Sequence, residues 1–399
     1  MDFFFSFAEW TNGSTGSCGR LVSMHIVGLS NFDFDLRTGR VYTTTRSTLL
    51  AILSNILLVV LLVVYFTLRK DLTTTLATAT KLQEYVFIVT TGLQIMAGLL
   101  TIVNRWRQRR KMMRLVRCVI RVYRAKPQVK RMVRWAVLLK IVVTIVTHSS
   151  LLELAANASQ YVGPKQMLGL GLQFVTMTIM NLAISQHFLI MLLVRANYRL
   201  LNRELRQMID ECKHLSYYSP RNGVFMTKCC FIADQLDNLG RIRSHLHSIV
   251  TQLQEVFGLQ ALMVYTEYYI TTIGVSYFLF SMYKYGDTNL RVTTLSRILV
   301  FIWMASYYLD ALMNLAIILQ VQGDEQKMSR ILAERTLFAP GLDVRLEESF
   351  ENTQIQLVRN PLKMNVMHLF PTNYSNTTAM ISSVFMNSIY LIQYDMANF

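Results

Sequence analysis

The chain has 399 residues, of which 52% are hydrophobic and only 16% charged, with a mean hydropathy of +0.32 and a formal net charge of +16. A soluble globular domain carries about 25% charged residues, so this composition excludes an ordinary soluble enzyme and points to a polytopic membrane protein. The positive charge does not imply a nucleic-acid partner, because thirteen of the forty Lys and Arg are concentrated between Arg105 and Arg134, flanked by apolar segments and without one Asp or Glu.

In chain order, Met1 to Trp10 has no basic n-region and too short an apolar run for a signal peptide, so the first span is expected to direct insertion. A span needs about 20 apolar residues to cross roughly 30 Å of hydrocarbon. Seven segments reach or approach that length. They are Ser47 to Leu68, Glu84 to Val103, Trp135 to Leu154, Leu168 to Val194, Gly258 to Phe280, Ile298 to Gln320 and Thr377 to Tyr394. The first is the most hydrophobic and is expected to face lipid. Lys140, His148 and Glu153 interrupt the third. Glu267 in the fifth and Asp310 in the sixth are costly in hydrocarbon, so each is expected to pair with a cation or to line a wet cavity.

Basic residues in short loops stay on the cytoplasmic side, which places the stretch from Arg105 to Arg134 inside. The N-terminus is then inside and, with seven spans, the C-terminus outside. The predicted inner regions hold 4, 13, 9 and 6 Lys plus Arg, against 3, 1 and 3 in the outer loops. The same charges would favour anionic lipid headgroups. The expected organisation is a cytoplasmic segment over 1–46, six transmembrane helices over 47–320 with helical cytoplasmic extensions at 105–134 and 195–257, a cytoplasmic anchor region over 321–376, and a seventh helix with an extracellular tail over 377–399.

Within the second extension, Leu200, Leu201, Leu205, Met208 and Ile209 recur at helical spacing, and Leu236, Leu239, Ile242, Leu246 and Val250 repeat the pattern. Two long helices packed on one another follow, with the turn between them at Tyr217 to Gly223. All five cysteines (Cys18, Cys118, Cys212, Cys229, Cys230) fall in predicted cytoplasmic segments, so no disulfide is expected. Cys229-Cys230 could instead carry a lipid, although inert thiols are commoner. Asn157 opens a sequon in a predicted outer loop and is a glycosylation candidate, whereas those at Asn12, Asn373 and Asn376 fall inside or at a span boundary. His245 and His247 lie on different helix faces and make poor metal ligands. Neither a phosphate loop nor a nucleophile elbow is present, so no enzyme activity, cofactor or metal is expected.

The seventh span is the least apolar. Pro371-Thr372-Asn373 is expected to end one helix and start another, after which Ser383, Asn387, Tyr390 and Tyr394 recur at spacings that share one helix face. Polar atoms in hydrocarbon must meet protein or water, so this stripe either bonds to other helices or lines an aqueous path.

The last residues, Met386-Asn387-Ser388-Ile389-Tyr390-Leu391-Ile392-Gln393-Tyr394-Asp395, carry half of a known C-terminal pattern. That pattern is Thr-Tyr, five mostly apolar residues and Gln-Phe. Gln393 matches and Tyr394 stands for Phe, while Met386-Asn387 replaces Thr-Tyr. Leu369-Phe370-Pro371, with His368 for Gly, resembles a Gly-Leu-Phe element before the last helix. Asn31-Phe32-Asp33-Phe34-Asp35 followed by Thr38-Gly39-Arg40 is similar to a lead-in to the first span. Together with span count and inverted topology, these motifs resemble the insect gustatory receptors over the whole chain.

The resemblance implies a relative of the insect odorant receptors: an all-α, tetrameric, ligand-gated cation channel, homo- or heteromeric, in the plasma membrane and dendrites of sensory neurons. Each subunit would give its seventh helix to a central pore. Gln393 and Tyr394 would then form the constriction, Asn387, Ser383 and Tyr390 would wet the path, and Asp395 would place negative charge at the mouth. The ligand, a small tastant such as a bitter compound, would sit in the outer half of spans two to six, at the depth of Tyr85, His148, Glu153, Gln173, Tyr277 and Trp303. For each of these six, ordinary packing is the competing reading. A seven-span receptor that signals through a G-protein-type partner without conducting is the alternative function, and it would need Arg105 to Arg134 outside. A transporter would show internal repeats, which the sequence lacks.

Overall fold

The computed structural model describes residues 33–35, 40–68, 81–159, 164–215, 223–285, 294–334, 343–367 and 370–398. Outside them lie Asn12, Cys18, Asn31-Phe32, Thr38-Gly39, His368-Leu369 and most of the expected turn after Tyr217. The described chain is a bundle of long helices with two short hairpins. Strands β1 (Asp33–Asp35) and β2 (Arg40–Tyr42) pair antiparallel and precede α1 (Thr45–Leu68). Next come α2 (Lys81–Arg107), α3 (Arg109–Ala125), α4 (Gln128–Ser159), α5 (Pro164–Leu215), α6 (Gly223–Tyr285), α7 (Thr294–Ala333) and α8 (Val344–Arg359). The second hairpin, β3 (Asn365–Val366) with β4 (Phe370–Pro371), stands where a helix was expected to end at Pro371, and it leads into α9 (Tyr374–Asn398).

Local chemistry sets the boundaries. Thr44 caps α1, its Oγ1 accepting the Ser47 N–H at 3.2 Å. Lys126 is extended (φ −130°, ψ 92°) because Pro127 follows it, and this ends α3. Asn373 caps α9 by accepting the Asn376 N–H at 2.8 Å, and the Asn376 side chain donates to the Pro371 carbonyl at 2.8 Å. Two of the sequon asparagines thus have structural bonds, while Asn157 lies in the last turns of α4.

Five helices contain stretches long and apolar enough to cross a membrane by length and composition: Thr45–Val64, Tyr85–Arg107, Gln128–Asn157, Met167–Leu215 and Arg297–Ala333. The segments 258–280 and 377–394 are helical but fall outside that set. Glu267 with several Tyr and Thr dilutes the first, and Ser, Thr and Asn dilute the second. At 1.5 Å per residue, α6 with its 63 residues is about 95 Å long, well beyond a bilayer's hydrocarbon.

The apolar faces foreseen on α5 and α6 are buried against each other: Leu201, Leu205, Met208 and Ile209 meet Leu236, Leu239, Leu246 and Val250 in the main core. Helix α8 covers the α6 extension through Leu346, Phe350 and Leu357, and Ser349 donates to Asp237 Oδ1 at 2.6 Å. The basic stretch spans the last turn of α2, all of α3 and the start of α4, and α3 is amphipathic, with Met112, Leu115, Ile120 and Tyr123 inward. Several of its cations act as pins. Arg109 donates to Thr48 Oγ1 at 2.8 Å, Arg117 to the Val41 carbonyl at 2.9 Å, and Lys126 to Glu204 Oε1 at 2.8 Å. Arg105 is buried, bonded to Gln186, with its guanidinium 4.7 Å from the Phe257 ring centroid. In contrast, α1 leaves Leu49, Leu53, Ile56, Leu57 and Val60 exposed along its length, the surface expected of a lipid-facing helix.

Candidate functional site

Polar side chains from five helices converge in the middle of the bundle. From α4, Lys140 is completely buried and its ammonium is paired with Asp310 of α7. Asn314, one turn on, offers Oδ1 to the same ammonium at 3.3 Å and donates Nδ2–H to Asp310 Oδ2 at 3.0 Å. The Tyr268 hydroxyl of α6 donates to Asp310 Oδ2 at 3.3 Å, and the Phe188 ring of α5 lies 5.2 Å from the ammonium. A buried charge of either sign is tolerated only when paired and bonded in this way.

A second chain of bonds runs beside the first. Gln173 of α5 donates to Gln94 Oε1 of α2 at 3.0 Å, and Gln94 in turn approaches Glu267 Oε1 of α6 at 3.5 Å. Glu267 also accepts from Thr271 at 3.2 Å and from the Tyr307 hydroxyl of α7 at 3.2 Å. Tyr307 packs edge-on to Tyr268 and stacks on Trp303, with centroids 5.2 and 5.7 Å apart. Of the two acidic residues, Asp310 meets a cation as expected, whereas the described partners of Glu267 are not cations but hydroxyls and an amide.

Towards the end of α4 distal to the β3–β4 hairpin, His148 donates from Nδ1 to the Thr144 carbonyl at 2.8 Å. That bond selects the tautomer and leaves Nε2 as an acceptor. Among the described residues, His148 Nε2 and Trp303 Nε1 are both buried without a hydrogen-bond partner. Phe174 meets the imidazole edge-on at 6.0 Å. An unpartnered buried polar atom is costly, so each is a point where a polar group brought by a small molecule would be stabilised.

Of the six residues foreseen around a ligand, Gln173, His148 and Trp303 belong to this neighbourhood. Tyr85 does not, because it is 66% exposed on the outside of α2. Glu153 is also exposed, and Tyr277 is buried against α9 instead. The sequence reading missed Gln94, Thr271, Tyr268, Tyr307 and Asn314. An i,i+4 pairing of Asp310 with Asn314 was a usable signal, since both lie on one face of a span that already carries a charge.

The polar stripe of α9 divides into two parts. Tyr269 of α6 bonds to Ser383 Oγ at 2.7 Å and accepts from Asn387 Nδ2 at 2.7 Å, so this end of the stripe ties α9 to the bundle. Tyr390 and Tyr394 are 59% and 56% exposed, and with Asn387, Gln393, Leu391 and Ile273 they line a shallow groove. Asp395 is turned the other way. It is fully buried, accepting from the Tyr277 hydroxyl at 2.8 Å and pairing with Lys284 at 3.2 Å. Its side chain therefore gives no charge to the uncovered face, contrary to the sequence reading, because one residue past Tyr394 turns about 100° around the helix.

The 7tm chemosensory receptor family model matches residues 21–398. The gustatory receptors 36b and 36a of Drosophila melanogaster are 48% and 44% identical over 375 and 374 residues, each match covering 94% of this chain and 96% of the relative. The structure of the insect olfactory receptor OR5 from Machilis hrabei superposes with a TM-score of 0.62 at 11% identity, covering 98% of this chain and 99% of that one. The same receptor in complex with eugenol gives 0.63 at 12% identity. A fold shared at that identity rests on packing geometry, while the near full-length identity to the Drosophila chains carries the assignment: this chain belongs to the insect gustatory receptors of the 7tm chemosensory receptor family.

Proposed function

We propose that this receptor is a ligand-gated, non-selective cation channel opened by small tastants, bitter compounds among them. The observation that carries the reading is the uncovered polar face of α9. Tyr390, Gln393 and Tyr394 stand at the surface of a helix tied to α6 by Asp395 on its other side, and Asn387, at the edge of that face, is bonded to Tyr269 of α6. Such a face is unstable against lipid, and one helix cannot enclose a pore, so copies of α9 from several subunits are needed. A tetramer, homo- or heteromeric, meets that need. Gln393 and Tyr394 then form the constriction, with Tyr390, Asn387 and Ser383 along the path. Asp395 has no part in it.

The ligand site in this reading is the region of His148, Trp303, Phe174 and Gln173, bordering the network around Glu267. Two buried polar atoms without partners and the neighbouring rings support it, as does the fold likeness to an olfactory receptor whose structure was solved in complex with eugenol. The N-terminus and the basic α3 lie in the cytoplasm by the charge rule, α9 ends outside, and the protein acts in the plasma membrane of sensory neurons.

The test is ligand-evoked current from the full chain, wild type and Gln393→Ala, with G-protein signalling blocked. Current that survives the block and whose conductance or gating changes in the variant is the expected result. A response abolished by the block assigns the receptor to a metabotropic route instead.

A further inference from the structure

A cavity lies at the opposite end of the bundle from His148 and Trp303, between α5, α6, α7 and the β3–β4 hairpin. Its volume is about 90 Å³, and its walls include Met191, Val250, Leu253, Val264, Leu315 and Ile318. Most of its polar side chains are already engaged. The Gln254 amide donates to the Lys363 carbonyl at 3.0 Å, Tyr268 and Asn314 bond to Asp310, and the Tyr265 hydroxyl bonds to Thr372. Gln260 differs. It lines the cavity and is only 3% exposed, yet its carbonyl oxygen Oε1 is buried without a hydrogen-bond partner among the described residues. An unmet buried acceptor is costly, and a water needs two to four polar partners to be held there.

We propose that this cavity binds a small, mostly apolar alcohol, whose hydroxyl donates to Gln260 Oε1 and whose hydrocarbon lies against Met191, Leu253 and Ile318. Its volume suits a solute of about five heavy atoms. The position gives the site a purpose beyond storage. The Thr372 carbonyl on one wall accepts from Gln322 of α7 at 2.8 Å, and Thr372 leads directly into the α9 cap at Asn373. An occupant therefore touches α6, α7 and the segment that starts α9 together, and it would modulate the receptor from the end opposite the tastant region. The binding claim holds whether or not the receptor conducts.

The experiment is photolabelling of the purified full chain in phosphatidylcholine nanodiscs, using a butanol that carries a diazirine, with adducts mapped by mass spectrometry. Adducts are expected on Met191, Leu253 and Tyr265, suppressed at least fivefold by excess 1-butanol. Ala311→Leu, which fills the cavity from α7, should abolish them, and Ala261→Leu does the same from α6 should the first variant fail to fold. Gln260→Leu should weaken competition by 1-butanol about fivefold while leaving the melting temperature unchanged or raised. Labelling spread over lipid-facing positions such as Leu53 and Phe301 without competition overturns the proposal. So does specific labelling that is indifferent to Gln260→Leu.

Discussion

Two buried ion pairs, Arg243–Glu325 and Lys140–Asp310, hold the same helix α7 at different heights and are built differently. At the hairpin end, Arg243 donates to Glu325 Oε1 at 2.7 Å and also to the carbonyls of Gln356 and Asn360 at 3.1 and 2.5 Å, while Glu325 accepts the Leu362 N–H at 2.8 Å. That pair therefore clamps the backbone of the 356–362 segment to α6 and α7. In the middle of the bundle, Lys140 and Asp310 are bonded mainly to side chains, Tyr268 and Asn314, which reach new partners by changing rotamer. One end is a rigid clamp and the other an adjustable junction, the division expected of a protein that must convert a local event into movement elsewhere.

The largest effect should come from breaking the clamp. Glu325→Leu leaves Arg243 buried without its carboxylate and is expected to cost about 3–5 kcal/mol. A thermal melt of the detergent-solubilised chain should show it, and Arg243→Met combined with Glu325→Leu should recover most of the loss. At the junction, Asp310→Asn keeps acceptors for Lys140 and Tyr268 but removes the charge. The expectation is a smaller change in melting, normal surface expression and a ligand response shifted about tenfold, which corresponds to roughly 1.4 kcal/mol. Equal damage to folding at both sites would abolish the distinction.

Smaller still is the link between α6 and α9. Asn387→Ala removes the bond to Tyr269 and should cost about 1 kcal/mol, visible as a modest drop in melting temperature. The last test reads the solidity of the clamped end through its thiols. Burial pushes the Cys212 thiol up to about 12, so at pH 8 only roughly one thiol in 10⁴ is ionised and alkylation should be very slow. The half-buried Cys118 and Cys230 should react first. With the folded pKa above the unfolded one, the proton is held more tightly in the native state. Stability from this group is complete below about pH 8.5 and is lost as pH rises towards 12. Equal alkylation of Cys212 and Cys230 under native conditions would show that the α5–α6 core opens freely.

Much of this was legible from residue order. The faces of α5 and α6 that bury Leu205 and Leu236 have a helical period, and period is a local property. Charge in hydrocarbon is also legible, because Lys140, Glu267 and Asp310 stand out against apolar neighbours. Which partner each would take was not. Lys140 meets Asp310 across 170 positions and Gln94 meets Glu267 across 173, and nothing local encodes such a pairing. The α9 stripe makes the same point at finer scale. Its spacing placed Ser383, Asn387, Tyr390 and Tyr394 on one face, but the position of Tyr269 decided that the first two would bond inward.

Composition and period by themselves determined a helical membrane protein, the buried faces of α5 and α6, the long apolar run of α1 and the polar stripe of α9, since each follows from the free energy of single side chains in water or hydrocarbon. The half-kept C-terminal motif, taken together with the other short motifs, the span count and the inverted topology, indicated the family. Only the tertiary structure decided that Asp395 turns inward to Tyr277 and Lys284, that Tyr85 and Glu153 stand apart from the polar centre, and that Gln260 sits in the wall of a cavity with its oxygen buried and unmet among the described residues. These depend on the rotation and height of one helix against another, which packing over the whole bundle sets and no short stretch of sequence contains.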